Sequence, residues 1–506
     1  MAEKFEITVA RKISELSRDI EKLSAAQGHQ SLAPASGITR TVGSGKDFAT
    51  IQEAVNWFKG RQFSNSSCTI AVDSGTYNEA LTVSDLDTND YSDLSIQGDL
   101  RLVAGHVFVS GFNTTAWANA TAYVAGNIRR SNLTATIGLW MICTVAGTSG
   151  AAEPAWTAPG TITTDGVGTL RWLVMGVSAN PYSYANLGGG YYLFSSTGAS
   201  GVLTIYSSTA VDLTAAGVTT SDVALIRQST GVVTQLAISS VGTNTITFTT
   251  VIPALGNPGD SFCIMPNRVI SSGAANALTV NSKCSIRGFR LNPNSGYAAY
   301  YQDGEGSEVY LRSITCYNGT ANGFGFLISK GRLFSDVPDV SVWRFQFGLY
   351  LYSFGQADLN YARFISSSSI TLVVDVSSFM RLTSCAAIGI PASSWIAQVV
   401  RGGVLYMRSC HILDGGAGIV NYAGSAIFEG TIYSITGGGA AIYSEGEGDA
   451  ACDFAAIAGC LLAVMASNAG YVSAQNTSTR FISNTTNYNP AASLTPNAQG
   501  AMIWWT

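Results

Sequence analysis

The sequence predicts an all-β protein whose second half is a parallel β-helix, and three observations carry that reading. Charged residues make up only 12%, about half the usual share near 25%, while Gly is abundant at 54 residues and Pro scarce at 12. Such a composition suits many short strands joined by tight turns. Second, a residue closing a short strand recurs as Gly304, Gly331, Gly355, Ser378, Gly403, Gly424, Gly446 and Asn468, at steps of 27, 24, 23, 25, 21, 22 and 22. Four residues before each stands an apolar column: Tyr300, Leu327, Leu351, Val374, Val399, Val420, Ile442 and Val464. A period of roughly 20–30 residues with strand signals and glycine corners is a solenoid signature.

The third observation is register. After each corner one column reads Val309, Leu333, Ala357, Met380, Leu405, Ala426 and Ala450. Two residues on, a second reads Leu311, Ser335, Leu359, Leu382, Met407, Phe428 and Cys452. Side chains alternate faces along a strand, so the next residue points outward. That column is Arg312, Asp336, Asn360, Thr383, Arg408, Glu429 and Asp453, polar throughout. One coil cannot bury its inner face alone, and stacking buries it continuously. Parallel crossovers are right-handed in nearly all cases, which sets the expected sense of the helix.

The elements before the repeat follow in order. Val9, Ile13, Leu16, Ile20 and Leu23 step by 4, 3, 4 and 3, the seam of a coiled coil. Residues 1–37 are therefore expected to form an N-terminal helix that bundles with copies of itself, plus a linker; one amphipathic helix lying on its own domain is the alternative. In "TVGSGKDFATIQEAVNWFKG" Asp47 can cap a helix whose face carries Phe48, Ile51, Val55 and Phe58. "CTIAV" and "YNEALTV" are strands around a "DSGT" turn.

This stretch, a glycine-rich turn, "DFATIQEAV" and "GTYNEA", resembles the opening of pectin-lyase-like parallel β-helix proteins, notably pectinesterases and phage tailspikes. The resemblance covers about 45 residues and implies a helix plugging the open end of the stack, where bare strand edges invite aggregation. Residues 38–112 are read as this opening segment. The later pectinesterase motifs, "DFIFG"-like and "LGRPW", have no counterpart here, so the likeness supports the fold and argues against that activity. Calcium and arginine signatures of pectate lyases are not recognisable either.

Residues 113–176 change texture and look like small aromatic modules of phage tail proteins, similar to short three-stranded chitin-binding modules. Trp117, Tyr123, Trp140, Trp156 and Trp172 carry that likeness and are the candidate carbohydrate-binding rings, since flat rings stack on the apolar faces of sugars. The weightier alternative makes them the core of a unit with little else to bury. Residues 177–267 read as a second β-rich insert, a compact sandwich or barrel without a catalytic motif. The body of the β-helix spans 268–490, and 491–506 is a C-terminal tail whose Trp504 and Trp505 are expected to pack on another element or chain.

Chemistry is sought on the outward polar column. Neighbouring strands lie about 4.8 Å apart, so Glu429 and Asp453 are expected as adjacent carboxylates with Arg408 beside them. A separation of about 5 Å suits a retaining glycosidase. In that reading Asp453 is the proton donor, Glu429 the nucleophile or stabiliser, and Arg408 keeps Glu429 ionised. The alternative is a solvated ladder of alternating charge, and exposed ion pairs are common and energetically minor. "EGEGD" (Glu445, Glu447, Asp449) could hold Ca²⁺ but reads more simply as a polar turn, and "QDGEG" (Asp303, Glu305) likewise.

Other classes are argued against. The net charge of −5 is no nucleic-acid footprint. Nine Cys without CxxC pairs read as buried hydrophobes rather than a disulfide or zinc framework, and three His leave no expected metal site or cofactor. No transmembrane span is expected. "MAEKFEITVARKISELSRDIEKLS" is charged and lacks the apolar core of a signal peptide. The whole resembles a bacteriophage tailspike or tail fibre. That implies a homotrimer, made in the host cytoplasm and carried in the virion tail. It would bind bacterial surface polysaccharide and attach to the tail or baseplate through its N-terminus, without membrane insertion. Some such proteins cleave the glycan as hydrolases or lyases; a non-catalytic adhesin or structural fibre remains the alternative. A secreted bacterial polysaccharide enzyme is the weakest of the three, for want of a signal peptide.

Overall fold

The computed structural model describes residues 30–31, 37–62, 67–100 and, with interruptions of which 175–192 and 490–501 are the longest, 103–505. The expected N-terminal coiled coil lies outside the described residues. From Thr39 onward the chain winds as a parallel β-solenoid, each coil supplying three strands to three ladders. One full coil runs Phe347–Leu351, Gln356–Asn360 and Arg363–Ile365; the next runs Ile370–Val374, Phe379–Thr383 and Ala386–Ile388. Strands such as Gln356–Asn360 form the first ladder, those such as Arg363–Ile365 the second, and those such as Phe347–Leu351 the third. The first two merge into one sheet because Cys284–Asn292 and Glu308–Tyr317 run through both. The third ladder is an 11-stranded sheet of its own.

The first-ladder columns stand as the alternation predicts. Val309 pairs with Leu333, Leu333 with Ala357, and the file continues through Met380, Leu405, Ala426 and Ala450. All are buried. Small members stand against large ones where Ala357 meets Met380 and Ala426 meets Leu405.

In the third ladder the expected apolar column is corrected. Tyr300 pairs with Phe326 rather than Leu327, and Leu327 pairs with Tyr350. Val399 pairs with Asn421, and Val420 with Tyr443. One inward file is Tyr300, Phe326, Leu349, Leu372, Ala397, Ile419, Ile442 and Val464, while the expected members Leu351, Val374 and Val399 are consecutive partners in a second buried file two residues on. Corners between the third and first ladders differ in length, so counting back from a glycine slips the parity.

The corner itself is also reassigned at three coils. Successive backbone bonds link Ser307, Gly331 and Gly355 to the strands above them, then Ser378, Gly403, Gly424 and Gly448. Gly304, Gly446 and Asn468 are not in this file. Gly446 and Asn468 belong instead to the left-handed pair that turns the chain just before it, at φ +59° and +49°. The glycines of the file are required by closeness. A Cβ on Gly355 would stand 2.6 Å from Ile328 O, and one on Gly470 2.1 Å from Ser444 O.

Ile51–Phe58 forms the helix that closes the N-terminal end. Its N-cap is Thr50, in a capping box with Glu53, and not Asp47 as expected. Asp47 instead accepts from the backbone and hydroxyl of Thr41, bonds that lower its pKa. Glu79 of "GTYNEA" takes the role of helix anchor, accepting from Ile51 N and Gln52 N at 2.9 Å each. Carboxylates are favoured at a helix N-terminus. Ile51, Ala54, Val55 and Phe58 are buried in the cluster that runs on through the solenoid.

The chain leaves the solenoid after Leu94–Gln97 and returns at Arg268–Ser271, which pairs with Gly75–Asn78. Between them lie a small four-stranded antiparallel sheet (from Ile128–Arg130 to Arg171–Val174) and an eight-stranded antiparallel one. The latter takes its edge strand from Val103–His106, ahead of both inserts. It packs on the outside of the second ladder, whose file Arg290, Thr315, Ser341, Arg363 and Ala386 is buried although it faces outward. Arg290 donates to Gln235 Oε1 at 2.9 Å, and fully buried Arg227 to Gly389 O at 2.6 Å. The outer faces of the first and third ladders lie away from this contact.

Candidate functional site

On the outer face of the first ladder the strands present two polar or aromatic files. One is the file predicted from sequence. Asn360, Thr383, Arg408, Glu429 and Asp453 are consecutive register partners. The upper pair of that column, Arg312 and Asp336, is not completed, because Asp336 lies outside the described residues. Arg408 is exposed. Glu429 and Asp453 are described only in their backbones, one strand spacing apart, about 4.8 Å. Register therefore brings the three candidate catalytic residues side by side.

The second file stands two residues earlier in each strand: Tyr310, Phe334, Asp358, Arg381 and Tyr406. Tyr91, from the loop before Leu94–Gln97, stacks on Tyr310 with centroids 5.7 Å apart and meets Phe334 edge-on at 4.6 Å. Arg287 lies over Tyr310 at 5.2 Å, and Arg332 over Phe334 at 5.4 Å. Arg381 forks onto Asp358, its Nε 2.9 Å from Oδ1 and its Nη2 against Oδ2. Arg332 approaches the same carboxylate at 3.8 Å. The bond to Asp358 pushes the Arg381 pKa up. Both guanidinium side chains are about half exposed, 49% and 50%, whereas Asp358 is 16% exposed. Glu308 is the register partner of Arg332, and two cations meet on one carboxylate. The carboxylate fixes the forks, so donors and rings are set before a ligand arrives.

This second file was legible by subtracting two from each member of the first. Tyr91 had no such signal, because it comes from a loop more than two hundred residues earlier than Tyr310.

The aromatic candidates of the small insert are placed differently. Trp117, Tyr123, Trp156 and Trp172 are all buried, in one cluster with Met141, Cys143, Leu170 and Val174. Trp117 and Trp172 donate their indole N–H groups to Asp165 at 2.7 and 2.9 Å. A ring with no face to solvent offers no stacking platform, and so small a unit needs these rings as its core. Trp140 pairs through its backbone with Arg130, and its side chain lies outside the described residues. At the acidic corner Glu445 accepts from Tyr443 and Asn468. Among the described residues no group of three or more His, Cys, Asp or Glu is arranged to hold a metal ion. Likewise, no helix there is long and apolar enough to cross a membrane.

No protein-family model matches the chain, and no curated protein matches it in sequence. Among solved structures it is similar to three phage tailspikes. The tailspike protein gp49 from Pseudomonas phage LKA1 is 10% identical, with 90% of this chain and 72% of that one covered and a TM-score of 0.22. The Pseudomonas phage phi297 tailspike gp61 is 10% identical, with 93% and 78% covered and a TM-score of 0.23. The Gp54 tailspike of Acinetobacter baumannii bacteriophage AP22, in complex with A. baumannii capsular saccharide, is 9% identical, with 87% and 66% covered and a TM-score of 0.20.

Proposed function

We propose that this chain is a bacteriophage tailspike or tail fibre protein that binds bacterial surface polysaccharide along the outer face of the first ladder. One observation carries the reading. The partly exposed rings of Tyr91 and Phe334, packed against the buried ring of Tyr310, run into the Arg332–Asp358–Arg381 cluster on the outer face of the solenoid. Rings meet the apolar faces of sugars, and fixed guanidinium groups meet hydroxyl and carboxylate oxygens. The opening motif and the predicted N-terminal seam support the rest: a homotrimer joined through residues 1–37, docked on the tail by the same end and carried in the virion after synthesis in the host cytoplasm.

Retardation in gels cast with capsule or O-antigen from candidate hosts tests the binding. Arg332→Ala with Arg381→Ala is expected to weaken it at least about tenfold, the equivalent of 1.4 kcal/mol. Retardation unchanged in that variant would refute the assignment of the face. An enzymatic version rests on the register of Glu429 and Asp453. Glu429→Gln with Asp453→Asn should then abolish new reducing ends or unsaturated uronate while leaving binding in place. Absence of either product from a glycan that the protein binds identifies the non-catalytic adhesin.

A further inference from the structure

A cleft of about 510 Å³ opens on the other free face, along the outer side of the third ladder. Its polar lining is Tyr350, Asp375, Gln398, Arg401 and Tyr422, set among Val373, Val400 and Ala423. Three adjoining strands and their corners build it. Tyr350, Val373 and Gln398 are consecutive register partners, and so are Val400 and Tyr422. Asp375 is its fixed point. The carboxylate side chain is 3% exposed and accepts from Val376 N at 2.8 Å, Tyr350 Oη at 3.3 Å and Arg401 Nε at 2.6 Å, with Arg401 Nη2 on its second oxygen. Arg401 itself is 68% exposed and keeps the rest of its fork for a ligand.

The backbone here is held against its preference. Val376 and Arg401 both sit in the left-handed region, at φ +42° and +48°. Phe354, Ala423 and Asn468 hold the same conformation at the equivalent corners, so it belongs to the turn of each coil, and here it places Asp375 and Arg401 of adjacent coils side by side.

We propose that this cleft is a second saccharide site, specific for neutral sugar units. The glycan-binding reading is its premise for the kind of ligand, but the site lies on a different ladder from the first. Asp375 and Arg401 cancel one another's charge, so the cleft offers a fixed donor and acceptor pair without net attraction for an ion. Tyr350 and Tyr422 supply rings for the apolar face of a pyranose, and Gln398 supplies an amide for its hydroxyls. The surroundings oppose a carboxylate. Glu445 is the register partner of Tyr422. Burial and then the charge of Asp375 raise the Tyr350 pKa, as burial and Glu445 raise that of Tyr422. The two faces thus divide the work: the first takes charged units through its guanidinium groups, and the cleft takes neutral ones.

Saturation-transfer NMR on the full chain tests this with a mixture of glucose, galactose, mannose and N-acetylglucosamine, against glucuronate. Transfer is expected to at least one neutral sugar and to persist at about 1 M salt, where the Debye length is about 3 Å. Gln398→Trp, which fills the cleft from an outward position, should reduce it at least about fivefold, and Arg401→Ala should do the same. Preference for glucuronate, no transfer to any neutral sugar, or transfer indifferent to Gln398→Trp in a folded variant would overturn the proposal. No hexose transfer to the unsubstituted chain while polymer retardation is present refutes the cleft alone. Retardation unchanged in Arg332→Ala with Arg381→Ala, while hexose transfer still falls in Gln398→Trp, refutes the first-ladder reading instead.

Discussion

Gly403→Ala tests whether the coils stack as described. Gly403 opens Val404–Arg408, the strand that carries Tyr406 and Arg408, and its carbonyl accepts from Ser425 N of the next coil at 2.9 Å. An added Cβ would stand 2.5 Å from Val374 O, 2.9 Å from Val374 C and 3.1 Å from Val400 O. All three are backbone atoms, so no rotamer change relieves them. Val374 is fully buried and pairs with Leu351 below and Val399 above, so its retreat would break the third ladder on both sides. Overpacking of this kind costs about 1–3 kcal/mol, and the lack of a flexible partner places Gly403→Ala at the upper end, about 2–3 kcal/mol. Gly402→Ala is the matched control. Its neighbour Ser377 Oγ is 3.7 Å away, so space is free, and only the left-handed φ of +77° is strained, at about 1–2 kcal/mol. Urea unfolding followed by far-UV circular dichroism reads both, as midpoint shifts at unchanged slope. Retardation in polysaccharide gels should weaken in Gly403→Ala as Tyr406 and Arg408 shift. A loss under about 0.5 kcal/mol, or one no larger than that of the control, would mean that the third and first ladders do not meet at this corner.

Other outcomes follow from burial and charge. Burial raises the thiol pKa of both Cys263 and Cys284 from 9.0 to about 12. The protonated thiols contribute stability that is complete below pH 9 and lost as pH rises towards about 12, so Cys284→Ala should flatten the alkaline part of the stability curve. A thiol reagent at pH 8 should leave both unmodified until the chain unfolds. Asp165→Ala should strip the acceptor from two indoles and cost the small insert about 3 kcal/mol. Calorimetry should then show the insert's transition move while the solenoid's stays. Val376→Gly should exchange left-handed strain for chain entropy, a net gain of about 0.5–1 kcal/mol read as a higher urea midpoint. It should also loosen Asp375 and weaken hexose transfer at the cleft.

What the sequence made legible depended on whether a signal was local to one strand. Between Val309 and Ala450 the inward file could be read because each strand carries its own alternation, and burial of both partners enforces it. The third-ladder file could not be carried across the corners, because their lengths vary and a slip of one residue inverts the faces. Corner identity was obscured for a related reason. A glycine in the left-handed turn, such as Gly446, and a glycine excluded by a neighbouring carbonyl, such as Gly448, look alike in sequence. Only the second kind marks the register.

The site divides along the same line. Arg408, Glu429 and Asp453 were found because they lie in one file. Asp375 and Arg401 were not, although their side chains join adjacent coils, because each stands in a corner outside any alternating run. Corners are where a solenoid can change residues without disturbing its core, since inward positions take apolar side chains or, as at Gln302 and Asn421, buried polar ones whose bonds are met inside. Ligand specificity is therefore free to vary at the positions that periodicity leaves unassigned. In this chain those positions include the buried carboxylate of Asp375 and the exposed guanidinium that it holds.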